Sequence, residues 1–341
     1  MKKKSLSDIA RSLNVSKTLV SFVLNDQGDK NGISSKTQKI VLERAREMNY
    51  KPNHMARGLR LGKTQTLGLI VADISNTFYA KMAKKIEEVA NQHHYNLIFC
   101  SSDENPEKEI ELINMLKERQ VDGIIISTTQ KNGAVFSWLK KENYPFVLID
   151  RKLPKLTSNF AGVDNFTGAY EATEQLIKNG YRKIGLLKIS PTYLSTIADR
   201  ERGYRSALKN NGIRANNKLI RTINCSDIRQ QVRAVLSELL EPPYKIDALF
   251  SVNNNITVAC MEYLNEMNIN IPLDVAMVSF DDIDLFRLSC PTITAVAQPV
   301  EEIGECAVNI LLDEINGLTT DKKQVLLPVK LIKRRSCGRG V

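Results

Sequence analysis

The stretch Ser5-Leu-Ser-Asp-Ile-Ala-Arg-Ser-Leu-Asn-Val-Ser-Lys-Thr-Leu-Val-Ser-Phe-Val-Leu-Asn25 decides how the rest of the chain is read. Leu6, Ile9, Ala10 and Leu13 recur at the three-and-four spacing of a helix with one buried face, and Ser5 stands where an N-cap belongs. Asn14 tolerates the left-handed backbone of a tight turn, Val15 is an inward anchor, and Ser16 is placed to cap a second helix starting at Lys17. On that helix Leu19, Val20, Val23 and Leu24 form one stripe, and Lys17, Thr18, Ser21, Phe22 and Asn25 form the opposite one. Two short helices meeting at a tight corner, with polar groups on the outer face of the second, make the form of a DNA-binding helix-turn-helix. The second helix of that motif meets base edges in the major groove. The pattern is degenerate, and an ordinary amphipathic helical hairpin is the alternative.

Outward from this stretch comes a polar, glycine-bearing loop (26–32) and then a third helix. Ser34 or Ser35 caps it, with Ser35 and Gln38 at capping-box spacing, and Val41, Leu42, Ala45 and Met48 supply its buried face. Asn49 fits a left-handed stop, and Pro52 forbids continuation. Residues 53–63 can form a short helix capped by Asn53, with Met55, Ala56 and Leu59 on one side. Alone it falls below the roughly 12–15 residues that a helix needs in water, and Gly58 weakens it further. Such a segment should order only against a partner helix or DNA. Gly58 to Thr64 resembles a phosphate-binding loop, but only three residues separate Gly58 from Gly62 where that motif requires four, and a strand follows instead of a helix.

The charge is distributed to match. The formal net charge is +10, and residues 1–63 carry 14 Lys or Arg against 5 Asp or Glu, whereas the remainder carries 34 against 33. Nearly all the excess therefore sits beside the helix-turn-helix, as expected for a phosphate-binding headpiece on a charge-balanced domain. At 341 residues the chain has material for two or three domains. Met1-Lys-Lys-Lys is not followed by the apolar run of a signal peptide, and no stretch approaches the ~20 apolar residues of a membrane span, so a cytoplasmic, nucleoid-associated protein is expected. The six cysteines (Cys100, Cys225, Cys260, Cys290, Cys306, Cys337) are scattered without metal spacing and read as free thiols. Neither a metal nor a cofactor is expected.

From Thr66 onward apolar strands alternate with amphipathic helices. Strands are predicted at 67–72, 97–101, 123–127, 146–149, 183–189, 248–252 and 275–280, and helices at 77–93, 106–119, 166–179, 200–211, 227–240 and 255–267. This alternation predicts parallel sheets covered on both faces, which place ligands at the carboxyl ends of their strands. Polar residues recur there: Asp73, Thr128, Asp150, Asn253 and Asp281. Arg200, opening a helix after the strand at 183–189, brings a planar five-donor fork. Together they suit a small polar or polyhydroxylated ligand, although each alone reads equally well as a helix cap or strand end. Asp150 and Asp281 could serve as an acid and base pair, yet no nucleophile, metal or dinucleotide motif accompanies them, and His54, His93 and His94 are the only histidines. An enzyme is not expected.

The chain resembles the lactose-repressor and galactose-repressor (LacI/GalR) family of bacterial transcription regulators over essentially its whole length. The resemblance is carried by residues 6–16, Tyr-Lys-Pro-Asn (50–53), Ala-Arg-Gly-Leu-Arg (56–60), Leu-Gly-Leu-Ile-Val-Ala-Asp-Ile-Ser-Asn (67–76), Val-Asp-Gly-Ile-Ile (121–125), Val-Asp-Asn (163–165), Arg-Glu-Arg-Gly-Tyr (200–204) and Ser-Phe-Asp-Asp (279–282). It implies an all-α headpiece (1–50), a hinge helix (51–63) and an α/β two-lobed effector domain (64–341) like a periplasmic sugar-binding protein. Lobe 1 would take 64–163 and 293–325 and lobe 2 would take 164–292 and 326–341, with crossovers near 162–165, 291–295 and 325–328. It further implies a homodimer on a pseudo-palindromic operator. Leu6, Ser16, Lys17, Thr18, Ser21, Phe22, Asn25, Asn53, Ala56 and Leu59 would contact DNA, with Leu59 as a minor-groove wedge. Phe78, Asp150, Arg200, Asn253, Asp281 and Gln298 would line the effector cleft, joined by Asp73 and Thr128 from the strand ends.

Three departures matter. Phe22 replaces the family's usual arginine, so a thymine methyl becomes the alternative contact to guanine, or the ring packs within the headpiece. Asn253-Asn254-Asn255 replaces the more usual Ala-Asn-Asp. No leucine heptad follows Leu331, so a tetramerising tail is not expected. The expected function is an effector-controlled repressor, with a sugar or sugar derivative as the leading effector. A nucleobase or phosphorylated metabolite, or a solute-binding protein of the same two-lobed form, is the alternative.

Overall fold

The computed structural model describes residues 5–50, 63–319 and 321–338. The chain forms two compact units, Met1–Thr64 and Gln65–Val341. In the first, α1 (Leu6–Leu13) begins with a reciprocal capping box between Ser5 and Asp8, and it stops at Asn14 in the left-handed region (φ 54°). The Ser16 hydroxyl accepts from the Leu19 amide and starts α2 (Lys17–Leu24). Ser34, not Ser35, caps α3 (Ser35–Glu47). The Gln38 side chain is not in a capping box. It donates instead to the Asp29 carboxylate (2.7 Å) and the Ile33 carbonyl (2.8 Å), pinning the preceding loop. Ile9, Ala10, Val20, Val23, Val41 and Ala45 form the buried centre of this unit. The segment predicted as a hinge helix lies outside the described residues.

In the second unit the order along the chain is β1 (Thr66–Val71), α4 (Thr77–Gln92), β2 (Asn96–Ser101), α5 (Pro106–Glu118), β3 (Gly123–Ile126), α6 (Ala134–Lys141), β4 (Phe146–Ile149) and β5 (Asn159–Val163). Then come α7 (Asn165–Lys178), β6 (Ile184–Ile189), α8 (Ser195–Asn210), β7 (Ile220–Ile223), α9 (Ile228–Leu239), β8 (Ala248–Ser251), α10 (Asn254–Glu266), β9 (Ala276–Phe280), α11 (Asp284–Leu288) and β10 (Thr294–Ala297). The last elements are α12 (Val300–Ile315), β11 (Gln324–Leu327) and β12 (Lys330–Ile332). Two six-stranded sheets result, ordered β11-β5-β4-β3-β1-β2 and β12-β10-β9-β8-β6-β7. All pairings are parallel except β10 with β12. Parallel strands need crossover helices on both faces, which explains the continuous burial of the central strands.

The first crossover between the lobes falls at Asp164, between β5 and α7. The second was expected near 291–295 but lies at 298–299. Thr294 to Val296 pair with Val278 to Phe280 and so extend the second sheet, and Pro299, which lacks an N–H, follows that strand. The third lies at 328–329, because Gln324 to Leu327 pair with Phe160 to Val163 and stay in the first sheet. The lobe boundaries move accordingly, to after Ala297 and after Leu327. Helix α8 starts at Ser195, so Arg200 sits in its second turn instead of opening it.

Candidate functional site

On α2, Val20 and Val23 are buried and Leu19 and Leu24 pack beside them, while Lys17 and Thr18 are exposed and Ser21, Phe22 and Asn25 are half-buried. Phe22 lies outside the hydrophobic cluster of the headpiece, so its ring remains on the outer face. Among the other residues expected to meet DNA, Ser16 spends its hydroxyl on the cap, and Asn25 donates to the Ser21 carbonyl at 2.6 Å. Leu6 is half-buried against the cluster. Asn53, Ala56 and Leu59 lie outside the described residues.

The second candidate site is the cleft between the lobes. Its position follows from how closely two helices approach. A Cβ on Gly203 would fall 2.4 Å from the Phe166 carbonyl oxygen and 2.9 Å from the Tyr170 nitrogen, so only glycine lets α8 lie so near α7. One turn away, Arg200 is carried into the cleft and buried. Its Nε donates to Asn165 Oδ1 (2.8 Å), its Nη1 to the Val252 carbonyl (2.5 Å), and its guanidinium lies 3.6 Å from the Phe280 ring centroid. Burial pulls the Arg200 pKa below its ordinary value, against the pull of Asp281 and Asp150. Burial likewise pushes Asp281 above the usual carboxylate range, opposed by Arg200 and by the Gln298 amide that donates to it at 2.5 Å.

The cleft measures about 90 Å3 and is lined by seven of the eight residues predicted for it: Asp73, Phe78, Asp150, Arg200, Asn253, Asp281 and Gln298. Thr128 is not among them. Its hydroxyl donates to Glu109 of α5 at 2.8 Å, and the Thr129 amide and hydroxyl donate to the same carboxylate at 2.6 Å. A buried carboxylate needs several donors, and these three bonds supply them. Burial pushes the Glu109 pKa up despite those bonds.

Sequence reasoning missed Tyr79, Glu104 and Arg151. The Tyr79 hydroxyl donates to Asp150 at 2.9 Å. Arg151 pairs with Glu104 through two parallel hydrogen bonds of 2.7 and 2.6 Å. Burial would lower the Arg151 pKa, but the hydrogen bonds and charge of Glu104 and the charge of Asp150 outweigh it and hold the guanidinium charged. Arg151 directly follows Asp150 at the end of β4, and attention to the second residue past each strand would have found it. Glu104 is reached only through a fold-back, because Asp103 and Glu104 are both left-handed (φ 52° and 57°). The lining thus holds four carboxylates (Asp73, Glu104, Asp150, Asp281) against two guanidinium groups.

The lobes are also joined directly. Asn254 donates to Asn76 (3.1 Å), Tyr193 to the Thr129 carbonyl (2.8 Å), the Lys152 amide to Ser195 (2.9 Å), and Lys81 pairs with Asp284 (3.4 Å). These four contacts bridge the two lobes across the cleft. Among the described residues, buried polar atoms without a partner include Arg151 Nε, Asn254 Oδ1 and Gln298 Oε1, all beside the cleft. No cluster of His, Cys, Asp or Glu among the described residues is arranged to hold a metal.

Residues 5–53 match bacterial regulatory proteins of the lacI family, and residues 173–337 match a periplasmic binding protein-like domain. The HTH-type transcriptional regulator KdgR of Bacillus subtilis (strain 168) is 31% identical over 344 residues, covering 98% of this chain and 100% of that protein. The chain belongs to the LacI family. Among solved structures, a transcriptional regulator CelR–cellobiose complex superposes with a TM-score of 0.73 at 25% identity, covering 98% of this chain and 100% of that one. The lac repressor dimer bound to operator and the anti-inducer ONPF superposes with a TM-score of 0.84 at 23% identity, covering 98% and 99%. As a LacI-family member the chain is a DNA-binding transcriptional regulator under effector control and not an enzyme.

Proposed function

We propose that the protein is a homodimeric repressor, acting in the cytoplasm at the nucleoid, whose operator affinity is set by a neutral sugar closing in the cleft between its lobes. The dimer on an operator is carried over from the lac repressor dimer bound to operator, a two-fold dimer calls for a pseudo-palindromic site, and a sugar effector is carried over from the cellobiose of the CelR complex. Lys17, Thr18, Ser21 and Phe22 present the face that would read bases, and Leu59 would open a base step in the minor groove. Effector changes operator affinity only through its differential affinity for two lobe poses, a coupling of about 1–3 kcal/mol in such systems.

The observation that favours a neutral sugar over an anionic one is the charge balance of the cleft. Carboxylates accept hydrogen bonds from sugar hydroxyls, and the additional cation that would welcome phosphate, Arg151, is already occupied by Glu104. The test is thermal unfolding of the full chain against neutral sugars, their phosphates and nucleobases. A ligand at about 100 times its Kd adds roughly 2.7 kcal/mol and moves the midpoint by several degrees. A neutral sugar should do so and its phosphate should not, and the sugar that does should alter operator binding. A panel in which only phosphates or nucleobases shift the midpoint would replace this reading of the effector.

A further inference from the structure

We propose that Glu104 sets the charge selectivity of the cleft, and that without its carboxylate Arg151 becomes a receptor for phosphate. This inference rests on the cleft being the effector site. The pair has the geometry by which arginine recognises phosphate: two parallel N–H···O bonds, from Nη1 to Oε2 (2.7 Å) and from Nη2 to Oε1 (2.6 Å). The fork that an anionic ligand would grasp is therefore filled from within the chain. Arg151 is the more deeply buried partner, with 9% of its side chain exposed against 19% for Glu104.

The carboxylate is set in place from a distance. Glu104 comes from the turn between β2 and α5, where two consecutive non-glycine residues are left-handed, and its own amide is anchored to the Ala72 carbonyl at 3.0 Å. Arg151 keeps one donor to spare. Its Nε has no hydrogen-bond partner and lies buried 3.6 Å from the Asp150 carboxylate. An anion thus meets Glu104 in the place where it would pair with Arg151.

The experiment compares the full-length wild type with Glu104→Ala, which removes the charge and leaves room for an anion beside the fork. Thermal unfolding is followed against rising inorganic phosphate at constant ionic strength, with chloride as the reference. Wild type should follow the chloride reference. The variant should show saturable stabilisation by phosphate, with affinity at least about tenfold above wild type. Adding Arg151→Gln to the variant should abolish it. A merely structural ion pair would lower stability in both variants without this phosphate dependence. Should Glu104→Ala fail to fold, Glu104→Gln keeps the side chain's shape without its charge, and the same stabilisation is required of it.

A midpoint indifferent to phosphate in the folded variant overturns the proposal, as does stabilisation that survives Arg151→Gln. A second reading uses ribose against ribose 5-phosphate and glucose against glucose 6-phosphate, where Glu104→Ala should shift preference towards the phosphate. Wild type already preferring the phosphates would overturn it too. The phosphate arm needs no knowledge of the effector. Neutral sugars that bind a wild type whose variant ignores phosphate defeat only the role of Glu104, and a variant that takes phosphate while no neutral sugar binds wild type defeats only the neutral-sugar reading.

Discussion

Glu109 and Arg200 are both charged and buried, and they answer to pH and substitution in different ways. Burial raises the folded-state pKa of Glu109, so as pH climbs through the ordinary carboxylate range the unfolded chain releases its proton first and the folded state loses ground. The stability that a protonated Glu109 contributes is present at low pH and lost as pH rises through its raised value. Glu109→Gln keeps acceptor and donor positions for Thr128 and Thr129 without that cost. In urea unfolding the variant should therefore gain on wild type between acidic and neutral pH, and a constant difference would contradict the assignment. Arg200→Lys keeps the charge but cannot serve Asn165, the Val252 carbonyl and the Phe280 ring together. A loss of about 2–3 kcal/mol is expected, with operator binding retained and the response to effector abolished. A normal effector response would remove Arg200 from the site.

At the scale of elements, the pairing of α7 with α8 governs where Arg200 stands. Gly203→Ala must push Phe166 and Tyr170 back by the better part of an ångström. Overpacking of this kind costs about 1–3 kcal/mol, and because it tilts the helix that carries Arg200, effector affinity should fall although Gly203 touches no ligand. Unchanged effector affinity in a destabilised variant would separate the packing from the site. The long strands and helices of the effector domain are legible in the sequence because their apolar runs are continuous or strongly periodic, as in Leu67 to Val71. The elements that sequence reading passes over are mostly short or interrupted. β5 contains Asn159 and Gly162, and β7, β11 and β12 are edge strands of three or four residues with mixed patterns. Helix α12 is different, because Ile303, Ala307, Val308, Ile310 and Leu311 carry a helical period that alternation of strands does not call attention to. In the cleft, residues just past strand ends were readable by position. Glu104 was not, since its place depends on a turn that only the folded backbone reveals.

At the scale of the whole effector domain, closure is a balance that the chain's own cross-lobe contacts can tip. Tyr193→Phe removes the hydroxyl that reaches the Thr129 carbonyl and little else, since the residue is about 41% exposed. One hydrogen bond of this kind contributes about 1 kcal/mol, enough to change the ratio of closed to open lobes about fivefold with little effect on unfolding. Small-angle scattering of wild type and variant should show the variant more extended in the absence of effector, and identical profiles would mean that Tyr193 does not hold the lobes.

The threefold passage between lobes has a consequence for the chain during its synthesis. The headpiece cluster closes within residues 6–50, whereas the first sheet of the effector domain waits for its outer strand at Gln324–Leu327 and the second for Lys330–Ile332. Domains generally fold as units while the chain emerges from the ribosome. A nascent chain therefore carries a finished helix-turn-helix cluster long before either lobe can finish, and translation stopped a few dozen residues short would leave that cluster without a completed effector domain.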